Sequence, residues 1–140
     1  MPIYRCLVQK NRLDGEQKRK VASEITRIHA EVTGAPESFV DVIFGEMVRG
    51  DWFTGGELSS RSLIQAHIRA GRTDEQKTRL MSAISQSWKQ VTGQAEQDLE
   101  ITLTDIEAKN IMRGGMLLPR AGEEHQWLEE FEAATSGAIE

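Results

Sequence analysis

The chain contains an internal repeat with an offset of 59 residues. Within residues 16–34, eight of nineteen positions are identical to their counterparts 59 positions later, without a gap. The pair Gly55-Gly56 recurs at the same offset as Gly114-Gly115, and both pairs are typical of hairpin turns. Because repeated units bury a shared core, the sequence predicts two copies of one unit in a single domain. The copies span about residues 2–57 and 61–116, and a C-terminal tail spans 117–140.

Each copy has the pattern strand, helix, strand. Residues 2–9 are rich in apolar, branched and aromatic side chains, and residues 39–44 alternate with the period of two that strands show. Between them, Asp14 can cap a helix that Gly34 ends. The second copy has its helix cap at Thr73, its helix stop at Gly93 and its second strand at residues 99–104.

This pattern predicts an α+β fold. A strand, a helix and a strand in so short a span form a βαβ unit with parallel strands and a right-handed crossover. Two such duplicated β-α-β units predict a four-stranded sheet with two helices on one face, and the open face can be covered by copies of the same chain. In the tail, Trp127, Leu128 and Phe131 predict a short helix on the body or on a neighbouring subunit, with frayed chain from Ala133.

Composition excludes several classes of function. Lys and Arg total 17 against 22 Asp and Glu, a net charge of −5, so we expect no nucleic-acid partner. We also expect no membrane partner, because no apolar run approaches the length of a membrane span and no leader-like pattern is present. The single cysteine, Cys6, suits a reducing compartment and predicts a cytoplasmic protein. Since the histidines and the cysteine lack the spacing of metal ligands, we expect no metal. No phosphate-cradling glycine loop is present, and we expect no cofactor.

Pro2 is the first candidate for chemistry because it follows Met1. Removal of Met1 would leave a secondary amine at the start of the chain. An ordinary α-amino group has a pKa of about 8, and burial beside cations favours its neutral form. Such an amine can accept and return a proton near neutral pH. Many proteins begin with Met-Pro without using the proline, so this residue alone favours the non-catalytic interpretation.

Several further segments resemble 4-oxalocrotonate tautomerase. The similarity lies in Met1-Pro2-Ile3 and in residues 11–18, 42–47 and 52–58, and the second copy keeps it at residues 71–77. Two such units in one chain, with the proline on the first only, resemble the cis-3-chloroacrylic acid dehalogenase branch of the tautomerase superfamily. The resemblance covers residues 2 to about 119. It implies the tautomerase fold, a homotrimer and a small carboxylate substrate.

The resemblance also assigns candidate site residues. In the dehalogenase branch, the proline amine works with a helix histidine and a pair of arginines. The matching positions here are Pro2, His29, Arg69 and Arg72. Arg12 matches the substrate-binding arginine of the shorter tautomerases and ranks below Arg72. Without the resemblance, His29 would be a hydrogen-bonded histidine at the edge of the core, and the arginines would be solvated loop cations.

Two positions depart from the dehalogenase pattern. In an ungapped alignment, Thr102 stands at the position of the branch's tyrosine and Arg113 at that of its glutamate. The resemblance implies that these two family residues activate water, and an arginine cannot accept a proton from water. Tautomerisation needs only one base, together with cations that hold a carboxylate and stabilise an enolate. Arg113 would then be one more carboxylate-binding group.

The preferred function is therefore a cofactor-independent keto-enol tautomerase of small 2-oxo or 2-hydroxy-enoic acids. Pro2 would be the general acid-base, Arg69 and Arg72 the carboxylate anchors, and His29 an orienting group. Two alternatives stay open. One is a hydratase or hydrolytic dehalogenase of cis-3-haloacrylate-like acids, and the other is a trimeric carboxylate-binding protein without catalysis.

Overall fold

A computed structural model describes residues 1–139 of the chain, and the side chains of residues 1–136. Both copies fold as a strand, a 19-residue helix and a second strand. The first copy comprises β1 (Ile3–Gln9), α1 (Gly15–Thr33), β2 (Asp41–Met47) and a hairpin of β3 (Phe53–Thr54) and β4 (Glu57–Leu58). The second comprises β5 (Ser62–Arg69), α2 (Asp74–Thr92), β6 (Leu99–Ile106) and a hairpin of β7 (Met112–Arg113) and β8 (Met116–Leu117), and α3 (Glu124–Ile139) follows.

The two long helices begin and end where the sequence predicts. Each has a capping box, centred on Asp14 in α1 and on Thr73 in α2, in which the cap residue and a glutamine exchange two hydrogen bonds. Each helix ends at a glycine in the left-handed conformation, Gly34 with φ 76° and Gly93 with φ 75°. Glycine adopts this conformation at the least cost because it has no Cβ.

The main sheet has the strand order β2-β1-β5-β6. The pairs β1–β2 and β5–β6 are parallel, and β1 and β5 pair antiparallel at the centre. Tyr4, Cys6 and Val8 of β1 are fully buried and share a core with the apolar stripes of α1 and α2. Both helices therefore lie on one face, and the predicted α+β fold with a four-stranded sheet is confirmed.

Two details differ from the sequence prediction. Phe39 lies in a 3-10 turn (Glu37–Phe39) rather than in a strand, because the chain turns after Pro36 and closes with a hydrogen bond from the Val40 N–H to the Glu37 carbonyl. The tail is also more regular than predicted. A continuous helix through Ile139 makes the expectation of frayed chain wrong for residues 133–139, and Glu140 lies outside the described residues.

α3 covers the end of the sheet at which β1 begins. Trp127 packs with Met1, Phe39 and Leu118 in a second apolar cluster, separate from the core under α1 and α2. The Trp127 indole N–H donates to the Leu117 carbonyl over 2.7 Å, which fixes α3 against the second hairpin. Among the described residues, no helix combines the length and the apolar composition that a membrane crossing requires.

Candidate active site

The strand register brings the start of the chain beside two charged residues. Ile3 pairs with His67 of antiparallel β5, so the residues before Ile3 lie next to the end of β5 at Arg69. Ile3 also pairs with Asp41 of parallel β2, and the Asp41 N–H donates to the Pro2 carbonyl over 3.0 Å. The candidate site lies at this end of the sheet.

The start of the chain is enclosed by protein. Pro2 is fully buried, and Met1 is only 8% exposed. The side chain of Met1 lies in the second apolar cluster, against Phe39, Leu118 and Trp127. An amino group here is therefore largely removed from water.

Burial lowers the pKa of the Met1 α-amino group from about 8 to about 6. The cations Arg113 and Arg69 lower it as well, whereas the carboxylate of Asp41 acts in the opposite direction. An amine at this place is mostly neutral at pH 7, which is the form that can accept a proton. These effects also show that Arg113, Arg69 and Asp41 lie within electrostatic reach of the amine.

α1 contributes His29, which is 1% exposed. Its Nδ1 and the Tyr4 hydroxyl are joined by a hydrogen bond of 2.7 Å, and the two rings meet edge to face. Burial lowers the pKa of His29 to about 3, and Arg72, Arg69 and the chain-terminal amine act in the same direction. Burial raises the pKa of Tyr4 well above its ordinary value. His29 and Tyr4 are thus a neutral, mutually oriented pair at pH 7.

Arg69 and Arg72 are both engaged by the carboxylate of Glu124, at the start of α3. Arg69 donates to Glu124 Oε1 over 2.7 Å, and Arg72 donates to the same oxygen over 3.4 Å. Arg69 also donates to the Pro119 carbonyl, and Arg72 to the Thr33 carbonyl at the end of α1. The side chains of the three charged residues are only 1% to 8% exposed.

The pKa values in this triad follow from burial and mutual attraction. Burial alone would raise the pKa of Glu124, but hydrogen bonds from the backbone of Gly122 and Glu124, and from Arg69, outweigh it and leave that pKa below its ordinary value. Burial, together with the charge of Arg69, lowers the pKa of Arg72. Glu124 is therefore an anion held between two cations.

Arg113, on β7, is more loosely held than the other two arginines. Its guanidinium lies 3.7 Å from the Asp41 carboxylate and donates to the Phe39 carbonyl over 3.4 Å, and its side chain is 38% exposed. It lines a cavity of about 250 Å³ between the second hairpin and α3. The other walls are mostly aromatic or aliphatic and include Phe39, Trp127, Leu128 and Phe131.

The structure brings together the four main predicted site residues and one of the lower-ranked residues, whereas the other two lie elsewhere. His29, Arg69 and Arg113 lie within electrostatic reach of the chain start at Pro2, and Arg72 is connected to them through His29 and Glu124. Arg12 follows the far end of β1, about 23 Å from Pro2 by the rise of a strand. Thr102 is exposed on β6, where it pairs with Gln65 of β5. The spacing between strands and the rise along them put Thr102 about 14 Å from Pro2. Within one chain, neither lies in the candidate site.

The sequence prediction missed Tyr4, Asp41 and Glu124. The alternation of β1 could have placed Tyr4 on the buried face with Cys6 and Val8. Nothing local marks Glu124, because its partners lie more than 50 positions earlier. Among the residues that the structure describes, no three His, Cys, Asp or Glu side chains gather as a metal site.

Comparison with known protein families shows which family the chain belongs to. The model of a family described as "Putative oxalocrotonate tautomerase enzyme" matches residues 1–132. The chain belongs to this family. It is accordingly an enzyme of the tautomerase superfamily, and the resemblance seen in the sequence is confirmed.

Three relatives illustrate the similarity of this family member to known proteins. N1, described as a member of the cis-3-chloroacrylic acid dehalogenase family, is 30% identical with a TM-score of 0.88 over 91% of both chains. A structure described as "F6 fused 4-OT wild type asymmetric trimer" shares the fold, with 24% identity and a TM-score of 0.77 over 83% of this chain and 95% of that one. A "Probable tautomerase" of Streptococcus pneumoniae serotype 4 is 41% identical over 46 residues, which are 33% of this chain and 77% of the relative.

Proposed function

We propose that the chain is a cofactor-independent tautomerase of small 2-oxo or 2-hydroxy-enoic acids, with Pro2 as its general acid-base once Met1 is removed. The observation that carries this proposal is the enclosed, cationic surrounding of the chain start, where the pKa of an α-amino group falls to about 6. A base with this pKa is free to accept protons at pH 7, and its conjugate acid is strong enough to return them.

The chemistry needs one proton carrier and fixed positive charge. In ketonisation, the Pro2 amine would take the proton of the enol hydroxyl and deliver a proton to C3, while the C–O bond becomes a carbonyl. Arg113, near the amine, would bind the substrate carboxylate, while the positive charge of Arg69 would stabilise the enolate oxygen as charge develops. His29, neutral and fixed by Tyr4, would orient the substrate through its second ring nitrogen.

Loss of Met1 would open space beside the Pro2 amine. The Met1 side chain packs with Phe39, Leu118 and Trp127, and Arg113 lies within electrostatic reach of its amine. Apolar walls with a few polar groups are the usual lining of a small-molecule site. This lining supports a small acid with an apolar portion as the substrate.

The test is ketonisation of phenylenolpyruvate, followed in the ultraviolet, by the parent protein and by Pro2→Ala. Intact mass spectrometry first establishes that Met1 is absent from both. If the Pro2 amine takes the pKa of about 6 that this place gives the Met1 amine, kcat/KM of the parent should rise with pH through a midpoint near 6 and then level off. We expect Pro2→Ala to lose about 100-fold or more in kcat. A variant with parental turnover, or an active protein that retains Met1, would contradict the mechanism.

Hydration or hydrolytic dehalogenation of a cis-3-haloacrylate-like acid is a second candidate, favoured by one observation. The carboxylate of Asp41 acts on the amine of the chain start and lies 3.7 Å from Arg113, so it could activate water in place of the glutamate that Arg113 replaces. Chloride release from cis-3-chloroacrylate that disappears in Asp41→Asn would favour this reaction.

Saturable binding without turnover of either substrate would favour the non-catalytic carboxylate-binding alternative.

We also propose a cytoplasmic homotrimer. A reducing compartment fits Cys6, a buried free thiol whose pKa burial raises to about 12. The face of the sheet opposite α1 and α2 carries the half-buried Leu7 and Leu63, and the exposed Ile43, so it offers apolar surface to other subunits. The fused relative described as a trimer has the same fold.

A further inference from the structure

The carboxylate of Glu124 stands where a substrate carboxylate would be expected, on the guanidinium groups of Arg69 and Arg72. Both arginines reach the same oxygen, Oε1, and the carboxylate is almost completely buried. Arginine guanidinium groups bind carboxylates through strong, charge-assisted hydrogen bonds. Here the acid is part of the chain.

The remaining contacts of the two arginines also go to the protein. Arg69 donates a second hydrogen bond to the Pro119 carbonyl over 2.8 Å and lies over the ring of Phe39, 5.2 Å from its centre. Arg72 donates to the Thr33 carbonyl over 3.1 Å. Each guanidinium thus binds both Glu124 and a backbone carbonyl. A substrate carboxylate would have to displace Glu124 from Arg69 and from Arg72.

Arg113 has no comparable partner within the described chain. Its contacts, at 3.7 Å to Asp41 and 3.4 Å to the Phe39 carbonyl, are longer than a strong charged hydrogen bond. It lies near the amine and lines the cavity of about 250 Å³ whose walls include Trp127 and Phe131. A small acid with its carboxylate on Arg113 would have apolar surface for the rest of the molecule.

We propose that Glu124 makes the site selective for acids with one carboxylate, because it holds Arg69 and Arg72 as interior ion pairs and leaves Arg113 to bind the substrate carboxylate. The proposal rests on the proposed tautomerase function. A second carboxylate on the substrate would find the guanidinium groups of Arg69 and Arg72 already paired with Glu124 instead of two available cations. A carboxylate that is desolvated there without a partner would disfavour the diacid as a competing ligand.

The first experiment compares two enols, phenylenolpyruvate with one carboxylate and 2-hydroxymuconate with two. The parent protein should prefer the first in kcat/KM. Glu124→Gln, which keeps the shape and removes the charge, should shift the preference towards the dicarboxylate by about tenfold. Glu123→Gln, an exposed neighbour that lacks these contacts, is the matched control and should leave the ratio unchanged. An unchanged ratio in a folded, active Glu124→Gln protein would overturn the proposal.

A second measurement uses the parent protein, so that it does not depend on how Glu124→Gln folds. Calorimetric titration compares hexanoate with adipate, which has the same carbon chain and one more carboxylate. We expect hexanoate to bind about tenfold more tightly, and Arg113→Gln to abolish this advantage by weakening hexanoate. Equal or tighter binding of adipate would overturn the proposal. Because binding is read without turnover, failure here is distinguishable from failure of the Pro2 mechanism.

Discussion

The buried histidine of the candidate site, His29, also affects the stability of the fold. Its pKa is about 3 in the folded chain because of burial and nearby arginines, against about 6.5 when unfolded. Between these values the unfolded state binds one more proton, so stability is full above pH 6.5 and declines as the pH falls towards 3. A group of this kind contributes a slope of up to about 1.4 kcal/mol per pH unit.

We therefore expect His29→Gln to flatten the pH dependence of stability between pH 6.5 and 5, above the range in which carboxylates titrate. Denaturant unfolding at a series of pH values measures the free energy of unfolding and so gives this pH dependence. His125→Gln, which replaces an exposed histidine, is the matched control. Equal slopes in the parent and His29→Gln would refute the assignment of a buried, neutral histidine.

The sequence predicted single residues where the repeat or the resemblance constrained them. Pro2 and His29 were assigned because each stands in a recognisable local motif, and the structure brings them near one another. Glu124 was not predictable in the same way. Its role depends on how the tail crosses the end of the sheet, and that path is set by packing of Trp127 against Phe39 and Met1 rather than by a local pattern.

The two hairpins are equivalent in sequence but differ in their surroundings, because only the second lies under α3. Gly55 and Gly114 have nearly the same left-handed φ, 58° and 59°. A Cβ at Gly55 would meet nothing within 4 Å, whereas one at Gly114 would lie 2.5 Å from Cε2 of Phe131. The repeat thus provides a matched pair that measures the docking of α3.

Gly55→Ala should lose about 1–2 kcal/mol of unfolding free energy from left-handed strain alone. Gly114→Ala should lose a further 1–3 kcal/mol, roughly, because Phe131 must move from its stacking contact with Trp127. Denaturant titration of both variants at the same protein concentration gives the comparison. Equal losses would mean that α3 does not dock on the second hairpin as described.

At the scale of elements, secondary structure was more predictable than the contacts between elements. Capping boxes and stop glycines are local, so the ends of α1 and α2 follow from Asp14, Gly34 and their counterparts. The antiparallel pairing of β1 with β5 joins strands almost 60 residues apart, and no local signal specifies it. That pairing is what carries Arg69 to the chain start.

Over the whole molecule, the exposed apolar residues repeat with the same offset as the sequence. Phe53 and Leu58 of the first hairpin are 58% and 69% exposed, and their counterparts Met112 and Leu117 are 65% and 54% exposed. Large apolar side chains at equivalent, solvent-facing positions of both copies are typical of surfaces that other subunits cover. A ring of three chains would contain six similar units, because each chain contributes two copies. Each hairpin could then contact the neighbouring unit.

We therefore expect light scattering to give a mass three times 15.7 kDa for the parent protein. Phe53→Lys and Met112→Lys should each shift the population towards the single chain, because a charge buried at an interface without a partner costs several kcal/mol. Gln90→Lys adds the same charge on the exposed side of α2 and should leave the mass unchanged. A parent protein that is monomeric at micromolar concentration would contradict the trimer. Variants that assemble like the parent would instead place the contact elsewhere on the sheet, away from both hairpins.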